Sequence, residues 1–116
     1  MYDQSTWSRL ARLKARKIYQ EMRDEGLDRE DLPRKLREVA EREEAAVQRL
    51  ASTHGIEPLE SRLLLQMSLG DERVAEIACA QLGKGRELQH AIAVITMLTG
   101  EEFVAGNGDD RESTRS

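Results

Sequence analysis

The side chains that most often act as nucleophiles or metal ligands are few in this chain: one cysteine, Cys79, and two histidines, His54 and His90. A nucleophilic cysteine needs a nearby base, usually a histidine that a third group orients. These three residues stand far apart in the sequence, and no combination of serine, histidine and acid can be picked out. Cys79 lies in an alanine-rich segment, which favours a small buried apolar side chain. We therefore predict a protein that is not an enzyme, with no evident small-molecule substrate.

Glu87 and His90 have the Glu-x-x-His spacing, which resembles one half of the metal site of ferritin-like di-iron bundles. That site needs further glutamates from neighbouring helices, normally with a second Glu-x-x-His. This chain has one copy, although Glu43 could supply a bridging carboxylate. A ferritin-like metal-binding protein is therefore an alternative, and we assign no metal ligands and no cofactor.

Basic residues near the N-terminus have the spacing for contact with an anionic partner. Residues 1–23 contain six Lys/Arg and two acids, whereas the rest of the chain contains 12 Lys/Arg and 20 acids. At 100° per residue, four arginines fall on one narrow strip: Arg9, Arg12, Arg16 and Arg23. Such a strip could contact successive phosphates of a nucleic acid, bind an acidic protein surface, or simply face water.

A second basic site is the segment Gly83-Lys84-Gly85-Arg86, which precedes a predicted helix. Free amides and the cations Lys84 and Arg86 could hold an anion there, or the segment could be an ordinary tight turn. Residues 78–83, followed by a helix, also resemble the core of a helix-turn-helix. The predicted recognition helix offers few polar groups to read bases. A nucleic-acid-binding regulator is thus a further alternative.

These residues must be positioned by helices, because the apolar side chains recur with helical spacing. Glycines mark helix ends, and Pro33 and Pro58 suit first helical turns. Asp28 or Asp31 can cap the second helix and Asp71 the fourth. The pattern predicts five helices: about 6–25, 32–53, 58–69, 71–82 and 86–99.

The first two predicted helices are amphipathic and form a long hairpin. The expected core face of the first has Leu10 at its edge and comprises Trp7, Ala11, Ala15, Ile18, Tyr19 and Met22. The face of the second comprises Leu36, Val39, Ala40, Val47 and Leu50. Glu43 falls inside that face. An unpaired buried carboxylate is costly, so we expect Glu43 to lie near the rim, to pair with an arginine, or to bind a cation.

The third and fifth predicted helices are apolar almost all round, and such helices must be central or covered by another chain. Enclosing two of them in one small bundle is difficult. We therefore expect a homodimer or another protein partner, with an interface built from Leu63, Leu64, Met67 and Leu98.

Composition bounds the remaining properties. The 116 residues are 3% aromatic and 34% charged, which is typical of amphipathic helices and not of a sheet. One cysteine, no leader segment and no long apolar run predict a cytoplasmic protein that is not in a membrane. We predict an all-α, single-domain bundle of about five helices over residues 1–104, a long helical hairpin plus three shorter helices, with a disordered C-terminal tail over residues 105–116. Its predicted function is a non-enzymatic interaction or regulatory module.

Overall fold

The computed structural model describes residues 4–100, and within this range every regular element is helical. The five α-helices are α1 (Gln4–Asp24), α2 (Leu32–His54), α3 (Pro58–Met67), α4 (Glu72–Gly83) and α5 (Leu88–Thr99). A 3₁₀ turn, Arg29–Asp31, leads into α2. The all-α prediction with five helices is confirmed. The predicted tail over residues 105–116 lies outside the described residues.

Local chemistry explains where the helices begin and end. Pro33 and Pro58 both lie in first helical turns, where a missing N–H costs no hydrogen bond. Asp71 caps α4 by accepting hydrogen bonds from the amides of Arg73 and Val74. Asp28 caps the 3₁₀ turn instead of α2 itself.

The third helix ends at Met67, two residues before the predicted end. Leu69 (φ 56°) and Gly70 (φ 80°) both adopt the left-handed conformation there. A leucine rarely takes this conformation, and the sequence pattern gave no sign of it. Because α3 ends early, the chain turns sharply at these two residues before α4 begins.

The main hydrophobic core is built around α3, which packs against α2, α4 and α5. Leu64 and Met67 have no exposed surface, and Leu65 is 1% exposed. Ala75, Ala78 and Cys79 of α4 and Ala91 and Ile95 of α5 complete this core without any exposure. Burying a large aliphatic side chain contributes about 1.5–3 kcal/mol, so α3 holds the bundle together.

The first helix buries only part of the face predicted for it. Leu10 reaches the main core, while Ile18 and Met22 form a small second cluster with Val39 of α2. Four residues of the predicted core face are exposed instead: Trp7, Ala11, Ala15 and Tyr19. The face predicted for α2 is also partly wrong, because Leu36 and Ala40 are exposed.

Candidate functional site

The exposed apolar residues of α1 line three depressions that follow one another along the helix. The first, about 220 Å³, lies beside Trp7, Leu10 and Gln66. The second, about 330 Å³, is lined by Ala11, Lys14, Ala15, Ile18, Tyr19, Leu32 and Leu36. The third, about 410 Å³, is lined by Tyr19, Met22, Arg23, Leu27, Asp28 and Arg29. We call these three together the α1 groove.

The depressions form a series because neighbours share residues. Ala11 and Lys14 line both the first and the second, and Tyr19 lines both the second and the third. From Trp7 to Arg23 the helix rises about 24 Å. The α1 groove is therefore long enough for a partner helix of about four turns.

Three large apolar side chains of the α1 groove are open to solvent. Tyr19 is 54% exposed, Leu36 45% and Trp7 41%. Between the two aromatic residues lie the exposed alanines Ala11 and Ala15. Their small side chains leave room for another backbone to approach closely. Aromatic anchors beside a shallow apolar channel are typical of protein interfaces.

An ion pair between Lys14 of α1 and Glu43 of α2 holds the α1 groove in place. The Lys14 ammonium lies 2.6 Å from the Glu43 carboxylate, whose side chain is 14% exposed. Glu43 also lies over Gly70, where a Cβ would be 2.8 Å from its Oε2 atom. Of the three alternatives considered for Glu43, the structure shows an ion pair, and its partner is a lysine and not an arginine.

A second link joins the C-terminal half of α1 to α2. Lys35 is 2% exposed, and its ammonium lies 3.0 Å from carboxylate oxygens of both Glu21 and Glu25. Hydrogen bonds to Glu21 and then Glu25 raise the pKa of Lys35 against the opposing effect of burial. Nearby, Lys17 donates a 2.9 Å hydrogen bond to the carbonyl of Leu69. Long charged side chains thus hold α1 in place where apolar contacts are few.

The predicted basic strip is only partly available. Arg12 and Arg16 are exposed, with no ion pair in the part of the chain that the structure describes. Arg23 is exposed and donates a 3.0 Å hydrogen bond to Gln20, whereas Arg9 is half-buried and already engaged. The free positive charge of the strip is therefore centred on Arg12 and Arg16, one helical turn apart.

The other predicted basic site lies on the turn between α4 and α5, where Lys84 and Arg86 are exposed. The backbone amides of Lys84, Gly85 and Arg86 all donate to carbonyls of α4, as in an ordinary interhelical turn. An anion would therefore have to meet the first amides of α5, where Glu87 makes no side-chain cap hydrogen bond. The anion site stays a prediction.

The predicted protein interface is divided by the fold. Leu64 and Met67 are completely buried in the chain's own core, so they present no surface to a partner. Leu63 is half-buried against that core. Leu98 is 50% exposed, and its neighbour Met97 is 81% exposed. Leu98 is therefore the one residue of the four that is largely exposed to solvent.

The residues considered for chemistry lie on three different helices: His54 on α2, Cys79 on α4 and His90 on α5. Within residues 4–100, no three His, Cys, Asp or Glu side chains come together to hold a metal ion. Cys79 is buried without exposure, and burial raises the pKa of its thiol to about 11. His54 faces Glu76 at 2.5 Å, and His90 is exposed on α5.

No family model, curated protein sequence or solved structure matches this chain. Among the described helices, none has both the length and the apolar character needed to cross a bilayer.

Proposed function

We propose that this protein is a non-enzymatic binding module that receives a helix of a protein partner in the α1 groove. The supporting observation is the continuous run of three depressions along α1, with Trp7, Tyr19 and Leu36 exposed at 41–54%. Helices that lay an apolar face into a hydrophobic groove are a recurring mode of peptide recognition. Apolar patches left open on a small protein commonly mark such sites.

The test is a selection of displayed amphipathic helices of about 18 residues, a length that spans the α1 groove at ~1.5 Å per residue. The apolar face and its flanking positions are randomised. Selected peptides are then titrated against the wild-type protein and against Ala15→Arg, which fills the middle of the α1 groove. Ala15 is exposed, so the substitution should leave the fold intact, which a circular dichroism spectrum checks.

We expect Ala15→Arg to weaken binding at least tenfold, because its side chain occupies the channel between Trp7 and Tyr19. The matched control is Ala45→Arg, since Ala45 is also an exposed alanine, lies on α2 and lines none of the three depressions. Peptides that bind both variants as tightly as the wild type would show that the α1 groove is not the binding surface.

A second proposal, homodimer formation, is supported by α5. Ala93, Met97 and Leu98 are exposed on one side of this helix, and none of them carries a charge. Two copies could pack these surfaces together without repulsion, and the exposed apolar area would be covered. The molar mass in solution tests this proposal.

A further inference from the structure

We infer that the partner helix is acidic, with Asp or Glu residues beside its apolar face. This inference rests on the proposed function, because it concerns the chemistry of the ligand in the same α1 groove. The observation behind it is the distribution of charge along the open edge of the groove.

Cations lie on one side of the α1 groove. At 100° per residue Arg12 and Arg16 fall within about 60° of Tyr19 on the surface of α1; both are exposed, and neither is engaged in an ion pair among residues 4–100. At the far end, Arg23 and Arg29 line the third depression.

The acids near the α1 groove are already engaged. Glu43 pairs with Lys14. Asp28 lines the third depression, where its Oδ1 atom accepts a hydrogen bond from the amide of Glu30. Among the residues that line the groove, Lys14, Arg23 and Arg29 are basic and Asp28 is the one acid, so the lining is net basic although the chain as a whole carries a net charge of −4.

The spacing of the free arginines specifies where acids belong on the partner. Arg12 and Arg16 are separated by four residues, or about 6 Å along the helix axis. Two carboxylates one turn apart on a partner helix would face them with the same separation. Exposed complementary charges contribute more to the rate and specificity of association than to affinity, while the apolar channel provides the burial.

A second copy of this chain is a poor occupant of the same α1 groove. Antiparallel packing of two α1 helices through Ala11 and Ala15 would bring Arg12 of one copy towards Arg16 of the other. Like charges in contact disfavour such a pairing. An acidic helix removes this repulsion and replaces it with attraction.

A nucleic acid is also less well matched than an acidic helix. The aromatic residues Trp7 and Tyr19 are 12 residues apart, which is about 18 Å along α1. Successive bases stack on aromatic platforms that lie side by side, and here alanines separate the two rings. The aliphatic lining from Ile18, Leu32 and Leu36 favours the apolar face of a helix.

The experiment uses two displayed helix libraries with the same randomised apolar faces, one flanked by glutamates and the other by lysines. Selected peptides are synthesised without tryptophan, so that the chain's single tryptophan, Trp7, reports docking by its fluorescence. We expect glutamate-flanked peptides to bind at least tenfold more tightly at low salt. We expect this preference to shrink as salt screens the charges.

The double variant Arg12→Glu/Arg16→Glu should reverse the preference, so that lysine-flanked peptides bind it more tightly. The control is Arg73→Glu on α4, because the Arg73 side chain is 94% exposed and lies outside the α1 groove. That control should leave the preference for glutamate-flanked peptides unchanged.

The outcomes separate this inference from the proposed function. Equal binding of both peptide classes, still lost in Ala15→Arg, overturns the acidic partner and leaves helix binding in place. Peptides that bind Ala15→Arg as tightly as they bind the wild type would overturn the proposed function itself. A third outcome is that the wild type binds single-stranded RNA and the double arginine variant does not. This result would show that Arg12 and Arg16 bind a nucleic acid, and it would overturn the inference.

Discussion

Gly83 shows how one small residue lets two helices meet. It lies at the end of α4, and a Cβ there would be 2.8 Å from the backbone oxygen of His54 at the end of α2. Backbone cannot give way like the end of a flexible side chain, so the close approach requires glycine. The neighbouring pair of His54 and Glu76 joins the same two helices. The sequence gave no sign of this close approach at Gly83.

Replacing Gly83 with alanine should destabilise the fold by about 1–3 kcal/mol, the usual cost of overpacking. In a helical position where the new Cβ met no neighbour, the same change would stabilise the fold by up to about 1 kcal/mol. A loss of stability is therefore evidence for the close contact. Urea unfolding followed by circular dichroism measures it. The control is Gly55→Ala, where no atom lies within 4 Å of the new Cβ and only the left-handed φ of 67° opposes the change. A stabilised Gly83→Ala variant would refute the close contact.

Cys79 should be unreactive in the folded protein, because burial raises the pKa of its thiol to about 11 and the thiolate is the reactive form. Since the folded pKa lies above the reference value of 9.0, the thiol favours the fold fully below pH 9. That contribution is lost as the pH rises from 9 towards 11. A thiol-reactive chromogenic reagent at pH 8 should label Cys79 only after urea is added. Rapid labelling without urea would contradict the buried position.

At the scale of elements, α1 is held differently from the other helices. The remaining four share one core around α3, whereas α1 contributes Leu10 to it and otherwise relies on a small cluster and on charged side chains. Regions with few buried apolar contacts open at lower free energy. The helix that carries the α1 groove is therefore the one whose position depends most on electrostatics.

The substitution Lys35→Met should loosen α1, because it removes the buried ammonium that bridges Glu21 and Glu25. We expect a loss of about 1.5–3 kcal/mol, the range for hydrogen bonds to charged groups, and faster amide hydrogen exchange in α1. The matched control is Arg34→Met, whose ion pairs with Asp31 and Glu38 are solvent-exposed and should contribute little to stability. Equal exchange rates in α1 for both variants would exclude the proposed link.

Lowering the pH should loosen α1, as Lys35→Met does. Burial of Glu21 opposes its ionisation, but the hydrogen bond from Lys35 and the charge of Arg42 outweigh this effect, so the pKa of Glu21 is lowered from 4.5. A lowered pKa stabilises the fold at higher pH, and this stabilisation is lost as the pH falls below about 4.5. The wild type should therefore lose more stability than Lys35→Met between neutral and acidic pH.

At the scale of the whole molecule, the small thickness of the helical bundle explains why apolar surfaces are exposed. The dimensions are 42 × 40 × 21 Å, and a helix with its side chains is about 10 Å across. Two helical layers fill that thickness, so a helix in such a slab has one side open to solvent unless another element covers it. The apolar third helix is covered by its neighbours, whereas α5 keeps Met97 at 81% exposure.

We expect light scattering to give the molar mass of a dimer, with α5 at its interface. Met97→Glu together with Leu98→Glu should convert it to a monomer, because two copies would then bring like charges into an apolar contact. Leu59→Glu is the control, since Leu59 is 77% exposed on α3 and outside the proposed interface. A monomeric wild type at micromolar concentration would rule the homodimer out.

The sequence by itself determined the number of helices, their approximate ends and the fact that Glu43 could not be buried without compensation. These features depend on local chemistry: apolar spacing, first-turn prolines, the Asp71 cap and the cost of a buried charge. Only the tertiary structure decided which apolar residues of α1 and α2 face outward. A helical wheel gives the angle of each side chain about its own axis, but the direction of the core depends on neighbouring helices.

The same reason explains why Leu64 and Met67 are core residues while Leu98 is exposed. All three lie in helices that are apolar almost all round, so no periodic pattern could distinguish them. Their burial depends on α3 occupying the centre of a thin bundle and α5 its surface. The α1 groove was hidden from the sequence for a related reason, because Trp7, Ala11, Ala15 and Tyr19 have the spacing of a core face and only the placement of α2 leaves them open.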